Sequence, residues 1–290
     1  MTSFAWQAAA THEAELFVRE LGIDALPVCP FSIAKELDID VRPLPLRSRG
    51  VSGMLLRHGN DFGILYATYL DNEGFQRFCV SHELGHYRLP GHPESVLING
   101  MHTSYAGFVS KDRFELEADH FAAGLLMPRS LFDPVLHKAG DGLDAIETLA
   151  NQCVTSMTAT AIRYAQRTPN VVAVVVSAGH QIDYCFMSDA LKEIRGLDWL
   201  RKGSSIPRGT VTYSFNEDPN NVVQAQRADG ETTIQDWFGG SLRVEMFEEV
   251  LGLGSYRKTL TVLSVSEIPN PEELEEEEEL TESWTPRFRR

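Results

Sequence analysis

His82-Glu83-Leu84-Gly85-His86, followed downstream by Glu115-Leu116-Glu117-Ala118-Asp119, is the pair of stretches that decides how this chain is read. The first lies in a segment from Glu73 to about Arg88, where Phe75, Phe78, Cys79, Ser81 and His82 supply a helical face. Leu89-Pro90-Gly91 ends that helix, because proline cannot continue it and glycine supports a reversal. On a helix, His82 and His86 project from one face with Cβ atoms about 5–6 Å apart. That bite suits one zinc ion bound at about 2.0–2.1 Å per nitrogen. Glu83, one residue on, points beside the metal. There it can take a proton from activated water and later deliver it to a leaving amine.

A catalytic zinc needs a third protein ligand and an open position. Two candidates compete. His92 stands ten residues after His82, the third-histidine place of HExxHxxGxxH, but that pattern needs glycine at residue 89 and the chain has Leu89. Glu115 belongs to a second periodic helix, 111 to about 126, with Phe114, Ala118, Phe121, Ala122 and Leu125 on its apolar stripe. Asp119 follows at i+4, so both carboxylates share one helix face. A glutamate ligand with an aspartate at i+4 resembles the arrangement of the Glu-zincin peptidases, which implies that Glu115 binds the metal and that Asp119 accepts the N–H at the back of a ligand histidine, His82. Glu115 is the preferred candidate. Glu117 points elsewhere and reads as a solvated carboxylate. Tyr105, His102 and His120 are the candidates for a donor to a developing oxyanion, but each reads rather as an ordinary loop or packing residue.

The run Arg77-Phe78-Cys79-Val80-Ser81-His82-Glu83-Leu84-Gly85-His86, with Glu115-Leu116-Glu117-Ala118-Asp119-His120-Phe121-Ala122-Ala123-Gly124-Leu125-Leu126-Met127-Pro128 after it, resembles the ImmA/IrrE family of bacterial metallopeptidases. The family's two signatures, HELGH and E-x-x-A-[ND]-x-F-A-x-x-LLMP, occur here in order. The resemblance spans residues 1–167 well and the following strand region more weakly. It implies metal ligands at His82, His86 and Glu115, with Glu83 as catalytic base. It also implies an intracellular endopeptidase that cleaves a small helix-turn-helix repressor and so releases stress or mobile-element genes. A His₂Glu ligand set suits Zn²⁺, with Mn²⁺ the alternative that cellular availability leaves open.

The remaining sequence bounds these expectations. The chain has 290 residues, 43 % hydrophobic and 23 % charged, which is ordinary globular usage and excludes collagen-like, disulfide-scaffold and wholly disordered classes. The net charge is −15, to which the glutamates between Glu272 and Glu282 contribute strongly. A body of that sign gains nothing from counterion release, so no direct nucleic-acid partner is expected. Cys29, Cys79, Cys153 and Cys185 form no CxxC pair and read as reduced thiols of a cytoplasmic protein. No secretory signal is read at the N-terminus, and the longest apolar run, Val171–Val176, is too short to span a bilayer.

The expected fold class is α+β. A zinc-peptidase-like domain, 1–137, combines a small sheet with the HExxH helix. A helix-turn-helix-like segment, 138–169, has its turn and cap at Val154 and Thr155. A smaller α+β domain covers 170–266, and an acidic, disordered tail 267–290. In the first domain, Ser32 caps a short helix Ile33–Leu37. Val51–Arg57 and Phe62–Tyr69 form a hairpin, and 92–110 is a long loop. Phe62–Tyr69 is either an edge strand that takes an extended substrate as an added strand or a strand that only covers the helix. In the second domain the strand candidates are Val171–Ser177, Ile182–Met187, Thr210–Phe215, Val222–Ala228, Leu242–Val250 and Thr259–Val265, with Trp199, Trp237 and Phe238 in the core. Two other functions compete with a peptidase: a DNA-binding regulator using 138–167, and a module that holds metal without turnover. Lys138, Arg163 and Arg167 only offset Asp141, Asp144 and Glu147, which argues against the first. A structural zinc is usually closed by four protein ligands, which argues against the second.

Overall fold

The computed structural model describes residues 3–45, 50–105, 112–240 and 244–265; the tail expected at 267–290 lies outside them. The chain is α+β and divides into two compact units, Met1–Tyr164 and Ala165–Arg290. The first unit opens with helices α1 (Ser3–Glu20) and α2 (Pro30–Glu36) and strands β1 (Asp40–Pro43), β2 (Gly53–His58) and β3 (Asp61–Tyr66). Helix α3 (Glu73–Arg88), helix α4 (His92–Val96) and strand β4 (Met101–Ser104) follow. Helices α5 (Arg113–Leu126), α6 (Arg129–Ala139), α7 (Gly142–Cys153) and α8 (Met157–Arg167) come last.

Local chemistry sets the two helices that matter most. The Asn72 side chain caps α3 by accepting the Phe75 N–H at 2.9 Å, and Glu73 complements the helix dipole in the first turn. Asp112 caps α5 in the same way, accepting the Phe114 N–H at 2.8 Å. Small residues then let helices approach closely. A Cβ at Gly85 of α3 would lie 3.2 Å from Ala118 Cα of α5, and one at Gly124 of α5 would lie 2.8 Å from Thr11 O of α1. Val18, Ile33, Leu55, Ile64, Leu84, Phe121 and Leu125 share one buried core beneath these helices and the sheet.

The sheet order is β1-β3-β2-β4, with β1 parallel to β3 and the other pairs antiparallel. Strand β3, weighed as an edge strand or as a strand that only covers the helix, is therefore internal, and β1 and β4 are the outer strands among the described residues. The loop expected over 92–110 holds α4 and β4 within its described part. Both β1 and β4 are four residues long, too short for a period-two pattern to show. Helix α2 starts at Pro30 and not at Ile33, because the fixed φ of proline suits the first helical position; the side chain of its N-cap, Cys29, makes no cap bond. Val154 sits at φ 52° and turns the chain between α7 and α8. The cap of α8 is Ser156, whose hydroxyl accepts the Ala159 N–H at 3.2 Å, while the Thr155 hydroxyl bonds that of Thr160 at 2.7 Å.

The second unit holds strands β5 (Val172–Ala178) and β6 (Gln181–Met187), then helices α9 (Asp189–Lys192), α10 (Val211–Glu217) and α11 (Pro219–Val223). Strand β7 (Arg227–Thr233), helix α12 (Ile234–Phe238) and strands β8 (Glu245–Gly252) and β9 (Thr259–Ser264) complete it. The strands pair antiparallel in the order β6-β5-β9-β8-β7. The strand expected at Thr210–Phe215 is mostly helix α10. Thr210 caps it, and the buried Glu248 carboxylate on β8 accepts the N–H groups of Val211 at 3.2 Å and Thr212 at 2.6 Å. A carboxylate at the positive end of a helix outweighs the β-propensity of Thr-Val-Thr-Tyr. The strand expected at Val222–Ala228 begins in α11 and turns at Ala225, φ 52°, before β7. Trp237 and Phe238 are core as expected, whereas Trp199 is 64 % exposed.

Candidate metal centre

Helix α3 carries His82, Glu83 and His86 on a stretch buried from Cys79 to His86. Helix α5 lies against it and brings Glu115 and Asp119 to the same place. Ligand atoms of His82, His86 and Glu115 all lie within 4.8 Å of one another. The two Nε2 atoms are 3.1 Å apart; His82 Nε2 is 3.5 Å from Glu115 Oε2, and His86 Nε2 is 3.2 Å from Glu115 Oε1. Tetrahedral bonds of about 2.0–2.1 Å place ligand atoms roughly 3.3 Å apart, so the three donors fit an ion between them. Their chemistry fits too: two imidazoles and a carboxylate are a donor set that suits zinc.

The surroundings hold these donors. His82 Nδ1 donates to Asp119 Oδ1 at 2.9 Å, which leaves the Nε2 lone pair facing the cluster when the ring is neutral. His102, on β4, donates from Nε2 to Glu115 Oε1 at 2.7 Å. Burial alone would raise the Glu115 carboxyl, but the bonds from His102, His82 and His86 carry it well below the usual carboxylate range. Burial drives the His86 pKa down to about 3, so this ring is neutral and its lone pair available. Burial also opposes charge on His82, yet the Asp119 and Glu115 bonds raise its pKa to about 10.

Glu83 is fully buried, and neither carboxylate oxygen has a hydrogen-bond partner. Burial pushes its pKa up to about 7. Its space is made by β2: a Cβ at Gly53 would collide with Glu83 Oε1. Gly53 pairs across the sheet with Ser104 on β4, whose buried hydroxyl is near enough to Glu83 to offset part of that rise in pKa. A buried, unpaired carboxylate beside a convergent donor set is an arrangement with chemical purpose, because without one it only destabilises the fold.

Several residues stand differently from the sequence expectation. His92 does not join the ligand atoms; its ring lies behind His86, with the two Nδ1 atoms 3.2 Å apart. Glu117 is not a solvated carboxylate: it is 8 % exposed, accepts from His92 Nε2 at 2.9 Å and from Arg113 Nε at 2.8 Å. His102 is a neighbour of the cluster and not a plain loop residue. Gly53 and Ser104 went unnoticed altogether. The Arg113–Glu117 spacing of four residues was a readable signal for a salt-bridged, held Glu117. The contacts of Gly53, His102 and Ser104 depend on strand register, which no local pattern announces.

Residues 34–164 match the Peptidase M78 family model, described as an IrrE N-terminal-like domain. The match covers a little under half of the chain, and over it the sequence is similar to the ImmA/IrrE family. Over 109 residues the chain is 33 % identical to the radiation response metalloprotease IrrE of Deinococcus deserti, an alignment covering 37 % of this chain and 38 % of that one. The chain thus matches about two fifths of that relative's length. A solved structure, named a Mycobacterium tuberculosis transcriptional regulator, shares the fold over 89 % of this chain and 76 % of its own at 14 % identity, with a TM-score of 0.58. Among the described residues no helix is long and apolar enough to cross a membrane.

Proposed function

We propose that this protein is a zinc-dependent endopeptidase with His82, His86 and Glu115 as metal ligands and Glu83 as general base. One observation carries the reading: donors from α3 and α5 converge within 4.8 Å, next to the fully buried, unpartnered Glu83 carboxylate. A divalent ion in this place supplies Lewis acidity, which acidifies water and polarises a peptide carbonyl. The chain's own residues do the rest. Asp119 fixes the tautomer of His82, and His102 anchors Glu115 by its Oε1 atom. Glu83, with a pKa of about 7, is matched to taking a proton from the attacking water at neutral pH and returning it to the departing amine nitrogen.

The substrate of this reading is a small helix-turn-helix repressor, as the family resemblance implies. Strand β4 is one of the two outer described strands of its sheet and the one that carries His102, so an extended substrate segment is taken along β4 and not along β3. All four cysteines are free thiols, which supports a cytoplasmic setting. A regulator that holds metal and binds DNA through α7 and α8 is less favoured. Arg163 of α8 is buried and donates to Glu15 Oε1 at 2.7 Å and to Met127 O at 3.1 Å, so it offers no charge to DNA.

Glu83→Gln tests the reading. The variant is expected to keep one equivalent of zinc while cleavage of a co-expressed repressor falls by about 10²–10⁴-fold. Cleavage at the wild-type rate would remove Glu83 as the base. Micromolar binding to nonspecific DNA, with no cleavage by wild type, would favour the regulator.

A further inference from the structure

Asp119 supports His82; the matching support for His86 comes from His92, which lies outside both motifs. The turn Leu89-Pro90-Gly91, with Gly91 at φ 79°, reverses the backbone after α3 and returns His92 beneath it. Glycine adopts that left-handed conformation without steric penalty. His92 is 1 % exposed and packs edge-on to Phe114 with ring centroids 4.9 Å apart. Its Nδ1 is 3.2 Å from His86 Nδ1, and its Nε2 is 2.9 Å from Glu117 Oε2. Behind Glu117, Arg113 donates from Nε to Oε1 at 2.8 Å, and its guanidinium lies 4.1 Å over the Trp6 ring.

For a neutral His92, proton counting leaves one consistent arrangement. A carboxylate only accepts, so the proton of His92 resides on Nε2. A neutral His92 then presents a lone pair at Nδ1, and His86 must donate to it from its own Nδ1. The remaining lone pair of His86 is on Nε2, the atom that faces His82 and Glu115. We propose that His92 is a positioning residue that accepts the His86 Nδ1–H, backed by Glu117 and Arg113, and so fixes His86 as an Nε2 ligand. This rests on the reading of His82, His86 and Glu115 as the metal ligands. The two histidines are then held by different devices: His82 directly by a carboxylate, His86 by a neutral imidazole with the carboxylate one ring further back. Such outer partners orient the ligand ring and raise its basicity.

Two measurements on the full chain test this. In zinc-loaded protein labelled with ¹⁵N at histidine, long-range nitrogen–proton spectra are expected to show His92 protonated on Nε2 and His86 on Nδ1. His92 protonated on Nδ1 overturns the proposal. The second is zinc affinity by competition with a chromogenic chelator. His92→Leu is expected to weaken binding about 10-fold or more. His92→Asn, whose Oδ1 can stand where Nδ1 stood, is expected to recover most of that loss. Wild-type affinity in a folded His92→Leu protein, or equal loss in the Leu and Asn variants, overturns it. If His92→Leu does not fold, the tautomer spectra of the wild type decide. A wild type that holds no zinc overturns the metal centre as well, whereas a zinc-binding wild type with an indifferent His92→Leu variant overturns the relay alone.

Discussion

At the scale of single residues, the site is defined by what its neighbours leave undone. A buried carboxylate without partners costs about 1–3 kcal/mol, and Glu83 leaves both oxygens in that state. Gly53 makes the state possible, because any side chain there would occupy the place of Glu83 Oε1. Gly53→Ala is expected to leave zinc stoichiometry unchanged and to lower the rate of cleavage about 100-fold, since displacing a reacting group by about 1 Å has that effect. A Gly53→Ala protein with undiminished turnover would show that Glu83 does not need this position. The placement of His82, His86, Glu115 and Asp119 was legible because i,i+4 spacing fixes a shared helix face before any tertiary structure is known. Gly53, His102 and Ser104 were not, since their neighbours are set by pairing between β2 and β4.

At the scale of elements, the clearest misreading is α10. Thr210-Val211-Thr212-Tyr213 has strand propensity, yet it folds as a capped helix because Glu248 reaches its N-terminus from β8. The same carboxylate accepts from the Thr212 hydroxyl at 2.6 Å, and that hydroxyl is 2.7 Å from Thr261 Oγ1. Glu248→Ala is therefore expected to destabilise the second unit by about 2–4 kcal/mol, since buried donors lose a charged acceptor. Chemical denaturation followed by the near-ultraviolet signal of the buried Trp237 reads this; a change below about 0.5 kcal/mol would mean that propensity alone holds α10. Long elements with strong signals, α3 and α5, matched their expected spans closely. Short ones, α4, β1 and β4, lacked enough residues for a period to register.

At the scale of the whole molecule, each unit has its own buried core; Cys79 and Cys153 are buried in the first and Cys185 is half-buried in the second. Burial pushes Cys153 and Cys185 up to about 12, from the usual 9.0, and raises Cys79 further still. In the unfolded chain these thiols lose protons near pH 9, while in the fold they keep them. The fold thus binds more protons in that window, and stability falls as pH rises from about 9 towards 12. Unfolding midpoints for wild type and for a Cys79→Ala, Cys153→Ala, Cys185→Ala triple variant are expected to show a steeper alkaline decline in the wild type. Parallel declines would place the alkaline sensitivity on other groups. The α+β class was readable across the chain because helical periodicity dominates the first unit and alternating or apolar strands the second. The role of the second unit was not readable, because its strands β5, β8 and β9 report a core and not a chemistry.

The central claim is that one ion is held by two imidazoles of α3 and one carboxylate of α5. Anomalous diffraction at the zinc edge from crystals of the zinc-loaded full chain tests it most directly. The account predicts a single strong peak bonded to His82 Nε2, His86 Nε2 and Glu115 at about 2.0–2.2 Å. A peak bonded to His92 in place of Glu115, or no peak between α3 and α5, would contradict it.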